Sequence, residues 1–282
     1  MLRNEIQEKT GLTRKAIDYY EEKGLIKPVK LGNGYRDYSD KDLEILNEIF
    51  LFRKIGLSIS EIGDCLSSNG KSLSSILRRK EHQLEIEQKR KEVIELIVKE
   101  ENQNIIENKI ALIEAEQSIY EKLEGAFPGY FGQLIFSSYQ PFLNETLYKE
   151  GQDAYNEFVE YLDSLPSFEL SKEEQEYIEE ISSTYNIKVL KEVNESKIEA
   201  VENSEKWLEE NKDIISRYKN YKSSDEYQNS LMKVIQDKLQ KYMLDNKYYE
   251  TAIPLIRKFS KSYDEYYKKL LIASDKYIEL NK

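Results

Sequence analysis

The sequence predicts a mainly α-helical chain with one small β-hairpin, and three observations carry that reading. Breakers are scarce, with 11 Gly and 5 Pro in 282 residues, while 34% of the side chains are charged; Glu, Lys, Leu and Ile dominate, a composition that favours long helices. From Leu73 to about Leu123 there is neither Gly nor Pro, and apolar residues recur there at intervals of seven. Ahead of that stretch the punctuation is dense, and it reads as helix, helix, hairpin, helix, helix.

Thr13 opens a helix that runs Arg14-Lys15-Ala16-Ile17-Asp18-Tyr19-Tyr20-Glu21-Glu22-Lys23 and stops at Gly24, a cap-to-glycine pattern. Lys27-Pro28 breaks the chain, and Asn33-Gly34 is a hairpin signal with Tyr35-Arg36-Asp37-Tyr38 as the return strand. Ser39 caps the next helix, whose Leu43, Ile45, Leu46, Ile49, Phe50 and Phe52 supply a core face. Gly56 ends it, and Ser58 or Ser60 starts a short helix through Ile62 and Leu66. This is the plan of a winged helix-turn-helix.

The long stretch carries Leu77, Leu84, Lys91, Val98, Ile105, Leu112 and Ile119 at spacings of seven. A solitary helix of this length has no core of its own, so the stripe implies a partner helix, parallel or antiparallel. Dimerisation through Leu77, Leu84, Val98, Ile105, Leu112 and Ile119 is the expectation; folding of the helix onto its own domain is the alternative. Beyond Gly125-Ala126-Phe127-Pro128-Gly129 the spacing predicts helices near 130–138 and over 140–164, 171–210, 212–220, 225–246 and 254–280. Ser171-Lys172-Glu173-Glu174 and Ser223-Ser224-Asp225-Glu226 mark two of their starts. Three domains follow: a DNA-binding head at 1–71, a coiled-coil helix at 72–123 and an all-helical regulatory region at 124–282.

Charge separates the same segments. Residues 1–71 are neutral, with 12 basic and 12 acidic side chains, residues 72–123 carry −2, and residues 124–282 carry −9 of the total −11. The last segment also holds 17 of the 22 tyrosines. Such acidity confines any nucleic-acid contact to a local patch. A single Cys and a single His leave no material for a disulfide framework, an all-thiolate metal site or a His-based triad. No phosphate-cradling Gly loop or nucleophile elbow is present. The expectation is a non-enzyme without metal or cofactor. No apolar run approaches a membrane span and no signal peptide precedes Leu2-Arg3-Asn4-Glu5, so the expected location is the cytoplasm.

Thr10-Gly11-Leu12-Thr13, Asp18-Tyr19-Tyr20-Glu21-Glu22-Lys23-Gly24-Leu25-Ile26-Lys27-Pro28, Asn33-Gly34-Tyr35-Arg36-Asp37-Tyr38-Ser39 and Arg53-Lys54-Ile55-Gly56-Leu57-Ser58-Ile59-Ser60-Glu61-Ile62 occur in order. Over these first 66 residues or so the chain resembles the MerR family of bacterial transcription regulators. The resemblance implies a homodimer joined by an antiparallel coiled coil. It further implies promoter DNA that is bent and untwisted in response to an effector, and RNA polymerase at that promoter.

The DNA-binding candidates are Thr13, Arg14, Lys15, Tyr19, Tyr20, Tyr35, Arg36, Tyr38 and Lys54. Thr13, Arg14 and Lys15 stand at a helix N-terminus, where free N–H groups and the helix dipole favour phosphate and basic side chains reach base edges. In the family the tyrosine pair splits, one ring packing and the other hydroxyl reaching phosphate; both rings in the core is the alternative for Tyr19 and Tyr20. Tyr35 and Arg36 resemble wing contacts to the backbone, Tyr38 suits packing as well as contact, and Lys54 is a phosphate candidate. Asp18 departs from the family, which usually has arginine there. A carboxylate repels DNA and is placed to pair with Arg14 or Lys15.

Cys65 and His82 are too few for a soft-metal site within one chain, and there is no cysteine cluster for iron–sulfur ligation. Cys65 reads as a buried structural thiol and His82 as a solvated surface residue. An organic effector, cationic or aromatic, suits an acidic region rich in tyrosine, with Tyr130, Phe131, Tyr139, Phe142, Glu145 and Tyr148 as its candidate contacts. Plain core packing of these aromatics is the alternative, and so is a region that docks a protein or peptide, or a helical coiled-coil interaction module without a DNA role.

Overall fold

Gly11 and Thr13 make the first corner. Gly11 ends α1 (Arg3–Thr10) at φ 68°, and its amide donates to the Gln7 carbonyl at 2.8 Å; this left-handed conformation suits a residue without Cβ. Two residues on, Thr13 Oγ1 accepts the Ala16 amide at 3.3 Å and so caps α2 (Arg14–Glu22). The wing is a two-residue ladder in which β1 (Val29–Lys30) pairs antiparallel with β2 (Arg36–Asp37), Val29 opposite Asp37 and Lys30 opposite Arg36. Ser39 and Asp42 form a reciprocal capping box at the start of α3 (Asp40–Lys54), and α4 (Ile59–Ser67) follows. Ile6, Ile17, Ile26, Leu46, Ile49 and Ile62 close over one another in a single core.

The computed structural model describes residues 1–67, 72–144 and 149–279. The chain divides into two compact units, Met1–Ile76 and Leu77–Lys282, the division falling inside α5 (Leu73–Val98). The segment expected as a domain of its own at 72–123 therefore belongs mostly to the second unit.

The expected uninterrupted helix over that segment is two helices. α5 ends at Val98, Glu100 takes a left-handed φ of 55°, and α6 (Gln103–Ala126) starts behind Asn102, whose Oδ1 accepts the Asn104 amide at 2.9 Å. Adjacent carboxylates at Glu100 and Glu101 oppose the negative end of α5, and Asn102 offers a ready N-cap. The two helices run antiparallel. Arg79 meets Glu124 at 3.1 Å, Lys89 pairs with Glu116, and Arg90 donates to Gln117 at 2.9 Å. Between them lies a small apolar cluster of Ile86, Val93 and Ile113.

The rest of the second unit is α7 (Tyr130–Tyr139), a 3-10 turn at Gln140–Phe142, and then α8 (Lys149–Ser164), α9 (Lys172–Ser182), α10 (Ile187–Glu202), α11 (Ser204–Glu210), α12 (Lys212–Ser223), α13 (Asp225–Gln228), α14 (Leu231–Asp245), α15 (Tyr248–Phe259) and α16 (Lys261–Glu279). The turn from α6 into α7 depends on Gly132, where a Cβ would stand 2.4 Å from the Phe127 carbonyl oxygen. The core gathers Leu123, Phe127, Phe136, Phe158, Ile235, Ile256 and their neighbours.

Its polar centre is Arg78, 1% exposed, which donates to Gln133 Oε1 at 2.5 Å and to the carbonyls of Ser182 and Tyr185 at 3.1 and 2.8 Å. A buried guanidinium with three acceptors ties α5 to α7 and to the end of α9. His82 is likewise buried, not solvated as its flanking Glu81 and Gln83 suggest. Its ring stacks on Tyr120 at 3.9 Å and meets the edge of Phe136 at 4.9 Å.

Candidate nucleic-acid interface

α2 buries one face and offers the other. Ile17 and Tyr20 point into the head's core, while Arg14, Lys15 and Tyr19 are exposed along the opposite face. The two tyrosines thus split: Tyr19 is 42% exposed, with Lys23 Nζ 5.5 Å from its ring centre, and Tyr20 is 6% exposed. Tyr20 leaves the set of surface contacts because its ring is core. Tyr38 leaves it too, since it is 1% exposed and its hydroxyl is met by Arg3 Nε at 3.4 Å. Thr13 remains at the N-terminus of α2, its hydroxyl occupied by the cap.

The wing projects its tip. The Leu31 amide donates to the Tyr35 carbonyl at 2.8 Å, and the Asn33 side chain accepts the Tyr35 amide at 3.1 Å. Tyr35 is 65% exposed. Arg36 is held by Glu21 of α2 at 2.8 Å, which fixes the wing against α2. Lys54, at the end of α3, lies with its Nζ 4.4 Å from the centre of the Phe50 ring and stays exposed.

Asp18 sits on the same outward face. Its carboxylate pairs with Arg3 at 2.7 Å and with Arg14 at 3.6 Å. The Arg14 contact follows from the i, i+4 spacing. The Arg3 contact joins residues on separate helices, and no local spacing announces it. Among the basic side chains of this surface, Arg3, Arg14 and Arg36 are each paired with a carboxylate, so their charge is partly balanced before any phosphate arrives.

Residues 3–69 match the sequence profile of the MerR HTH family regulatory protein. The head is a MerR-type helix-turn-helix domain. Similar proteins include the HTH-type transcriptional regulator CueR of Salmonella typhi, 42% identical over 65 residues, which is 23% of this chain and 47% of that protein. The HTH-type transcriptional regulator HmrR of Rhizobium leguminosarum bv. viciae is 43% identical over 63 residues, 22% of this chain and 49% of that protein. A probable heavy metal-dependent transcriptional regulator of Haemophilus influenzae is 45% identical over 58 residues, 20% of this chain and 45% of that protein. The chain thus spans about half the length of the curated relatives it matches. No solved structure matches it.

Beyond the MerR head, the remaining candidates are distributed as follows. On the α5–α6 hairpin, Leu77, Leu84, Val98 and Ile105 are exposed, Leu112 is half-buried, and Ile119 lies in the core. Ile119 is therefore spent on packing within the chain. Phe131, Tyr139 and Phe142 are buried, and Tyr139 shares a 2.6 Å hydroxyl–hydroxyl hydrogen bond with Tyr248; burial drives the Tyr139 phenol well above its ordinary pKa. The rings of these three fill the core. Tyr130 is half-buried beneath the Arg78 guanidinium at 5.4 Å. Glu145 and Tyr148 lie outside the described residues. Cys65 is buried in the MerR head's core and burial pushes its thiol pKa up, which disfavours the thiolate that metals and oxidants require. No helix among the described residues is long and apolar enough to cross a membrane.

Proposed function

We propose that the chain is a homodimeric, sequence-specific DNA-binding transcription regulator whose helical second unit takes an organic effector. One observation carries the DNA half: Arg14, Lys15 and Tyr19 stand exposed on one face of α2 while Ile17 and Tyr20 anchor the other. Docking of that face in a major groove, with Tyr35 and Arg36 of the wing on the flanking backbone, follows the geometry of helix-turn-helix recognition. The exposed Leu84 and Val98 of α5 and Ile105 of α6 support a second copy on the hairpin, and a dimer presents two recognition helices to a dyad-symmetric site. Distortion of promoter DNA, read by RNA polymerase, is the mode of action this dimer fits, since bending is the quantity that contact energy offsets.

An organic effector is favoured over a metal by the side chains available. Among the described residues no three His, Cys, Asp or Glu side chains gather in a way that holds a metal ion, and the similarity to metal-dependent regulators ends with the MerR head. A footprint of the purified protein on DNA flanking its own gene tests the reading. A protected, dyad-symmetric stretch is expected, and no protection at any flanking sequence counts against it.

A further inference from the structure

We infer that the outward faces of α12 and α16 are a surface on which a second copy of this chain docks, separate from the α5–α6 hairpin. The inference rests on the hairpin dimer proposed above and adds a contact between two such dimers.

α12 has no buried side chain. Lysines hold its inner side to the body: Lys219 Nζ lies 5.0 Å from the centre of the Tyr277 ring on α16, and Lys222 donates to Gln236 of α14 at 2.7 Å. Its outer side carries Ile214, Tyr218 and Tyr221, which are 54%, 58% and 47% exposed. Their i, i+4, i+7 spacing is that of a helix face made for packing. α16, its neighbour through Tyr277, repeats the spacing with Leu271, Asp275 and Ile278, all exposed. Two helices of one unit thus leave apolar faces open side by side.

Charge names the occupant. α12 carries Lys212, Arg217, Lys219 and Lys222 against Asp213 alone, within a region of net charge −9. Arg217 stands exposed between Ile214 and Tyr221, and its Nε donates to the Asp213 carbonyl at 3.4 Å. Neither Arg217 nor Asp275 has an ion pair among the described residues. One open face is therefore centred on an arginine and the adjacent one on an aspartate. A two-fold axis lays α12 of one copy on α16 of the other, twice over, with Arg217 meeting Asp275 of the partner subunit. Such a contact is self-complementary. Nucleic acid suits the face poorly, because Glu209 and Glu210 of α11 and Asp225 and Glu226 of α13 flank α12 and are exposed. They repel a continuous phosphate backbone.

Each helix pair brings few side chains, so single copies, with one patch each, stay apart. A hairpin dimer carries two patches, and two dimers joined through both contacts gain from the high effective concentration of the second. The resulting tetramer holds two pairs of MerR heads and so occupies two operators in one complex.

Sedimentation velocity of the full-length chain, from low to high micromolar concentration, tests this. The wild type is expected to pass from dimer to tetramer. Arg217→Asp and Asp275→Arg should each raise the concentration needed by about tenfold or more, since each places like charges opposite one another. Circular dichroism should be unchanged. An equimolar mixture of the two variants should form tetramers again, because each then meets its opposite charge. Association of both variants at the wild-type concentration overturns the proposal, as does a mixture that stays dimeric. A wild type that remains dimeric at high micromolar concentration also overturns it, and leaves the face to a foreign protein with an acidic complement. A wild-type monomer at low micromolar concentration would count instead against the hairpin dimer, while the two variants and their mixture still report on this face.

Discussion

Arg3 of α1 and Asp18 of α2 form a 2.7 Å ion pair, and Arg14 leans on the same carboxylate at 3.6 Å. One acidic side chain on the outward face of α2 therefore balances two guanidiniums. Asp18 is 44% exposed and Arg14 is 72% exposed, so the pairs are of the surface kind that solvent and salt weaken. Phosphate can take the arginines from Asp18, at the cost of a carboxylate left near the DNA backbone.

Replacing Asp18 by Asn should release both arginines and remove that repulsion. Operator affinity is expected to rise by roughly three- to tenfold, with a salt dependence steeper by about one ion per half-site. Filter binding across a series of salt concentrations measures both. A fall in affinity would show that Asp18 instead holds Arg3 and Arg14 in their binding orientation.

The hairpin stripe gives a second expectation. Leu84 and Val98 are 69% and 76% exposed, far wetter than apolar side chains on a helix pair that has finished packing. Leu84→Asp combined with Val98→Asp should yield a folded monomer by light scattering, with helical content preserved. Persistence of the dimer in this variant would place the interface elsewhere.

His82 links stability to pH. Its two ring nitrogens are buried without hydrogen-bond partners among the described residues, and burial lowers its pKa below 6.5; the nearby carboxylates Glu116 and Glu85 raise it, while Lys89 and Lys191 lower it further. The folded state thus holds the neutral ring while the unfolded chain protonates, so this contribution is complete above about pH 6.5 and is lost as pH falls toward the depressed value. Melting temperatures followed from pH 8 to about pH 5 should drop more for the wild type than for His82→Leu. Parallel curves would mean that the ring is not held neutral.

Gly132 offers a packing test. A Cβ there would lie 2.4 Å from the Phe127 carbonyl and 2.8 Å from that of Leu123, backbone atoms that cannot step aside. Gly132→Ala should destabilise the second unit by about 1–3 kcal/mol, read as a lower melting temperature. An unchanged transition would contradict the close approach of α7 to the end of α6.

The head was legible because its signals are local. Thr13, Gly34 and Ser39 each act within four residues, and the structure uses each where the sequence places it. The second unit was legible only in class. Ser171 caps α9 through Glu174 as the motif implies, at 2.8 and 3.3 Å, yet the long helix expected after it is three, α9, α10 and α11. The break at Glu100 was written in two adjacent glutamates and an asparagine, a quieter signal than a heptad stripe that continues through it. The buried roles of Tyr139 and Phe142 depend on α15 and α16, more than a hundred residues away in the chain, and no spacing reports such contacts. His82 was misjudged because its flanking residues are polar, whereas its environment is set by Tyr120 and Phe136.

The most direct test of the account is a salt titration of binding to the operator by the wild-type protein and by Arg14→Ala and Arg36→Ala. Binding should fall steeply with salt in the wild type, and each substitution should cost about 1–3 kcal/mol while leaving the circular dichroism spectrum unchanged. Salt-insensitive binding, or undiminished affinity in both variants, would contradict the assignment of α2 and the wing as the DNA-reading surface.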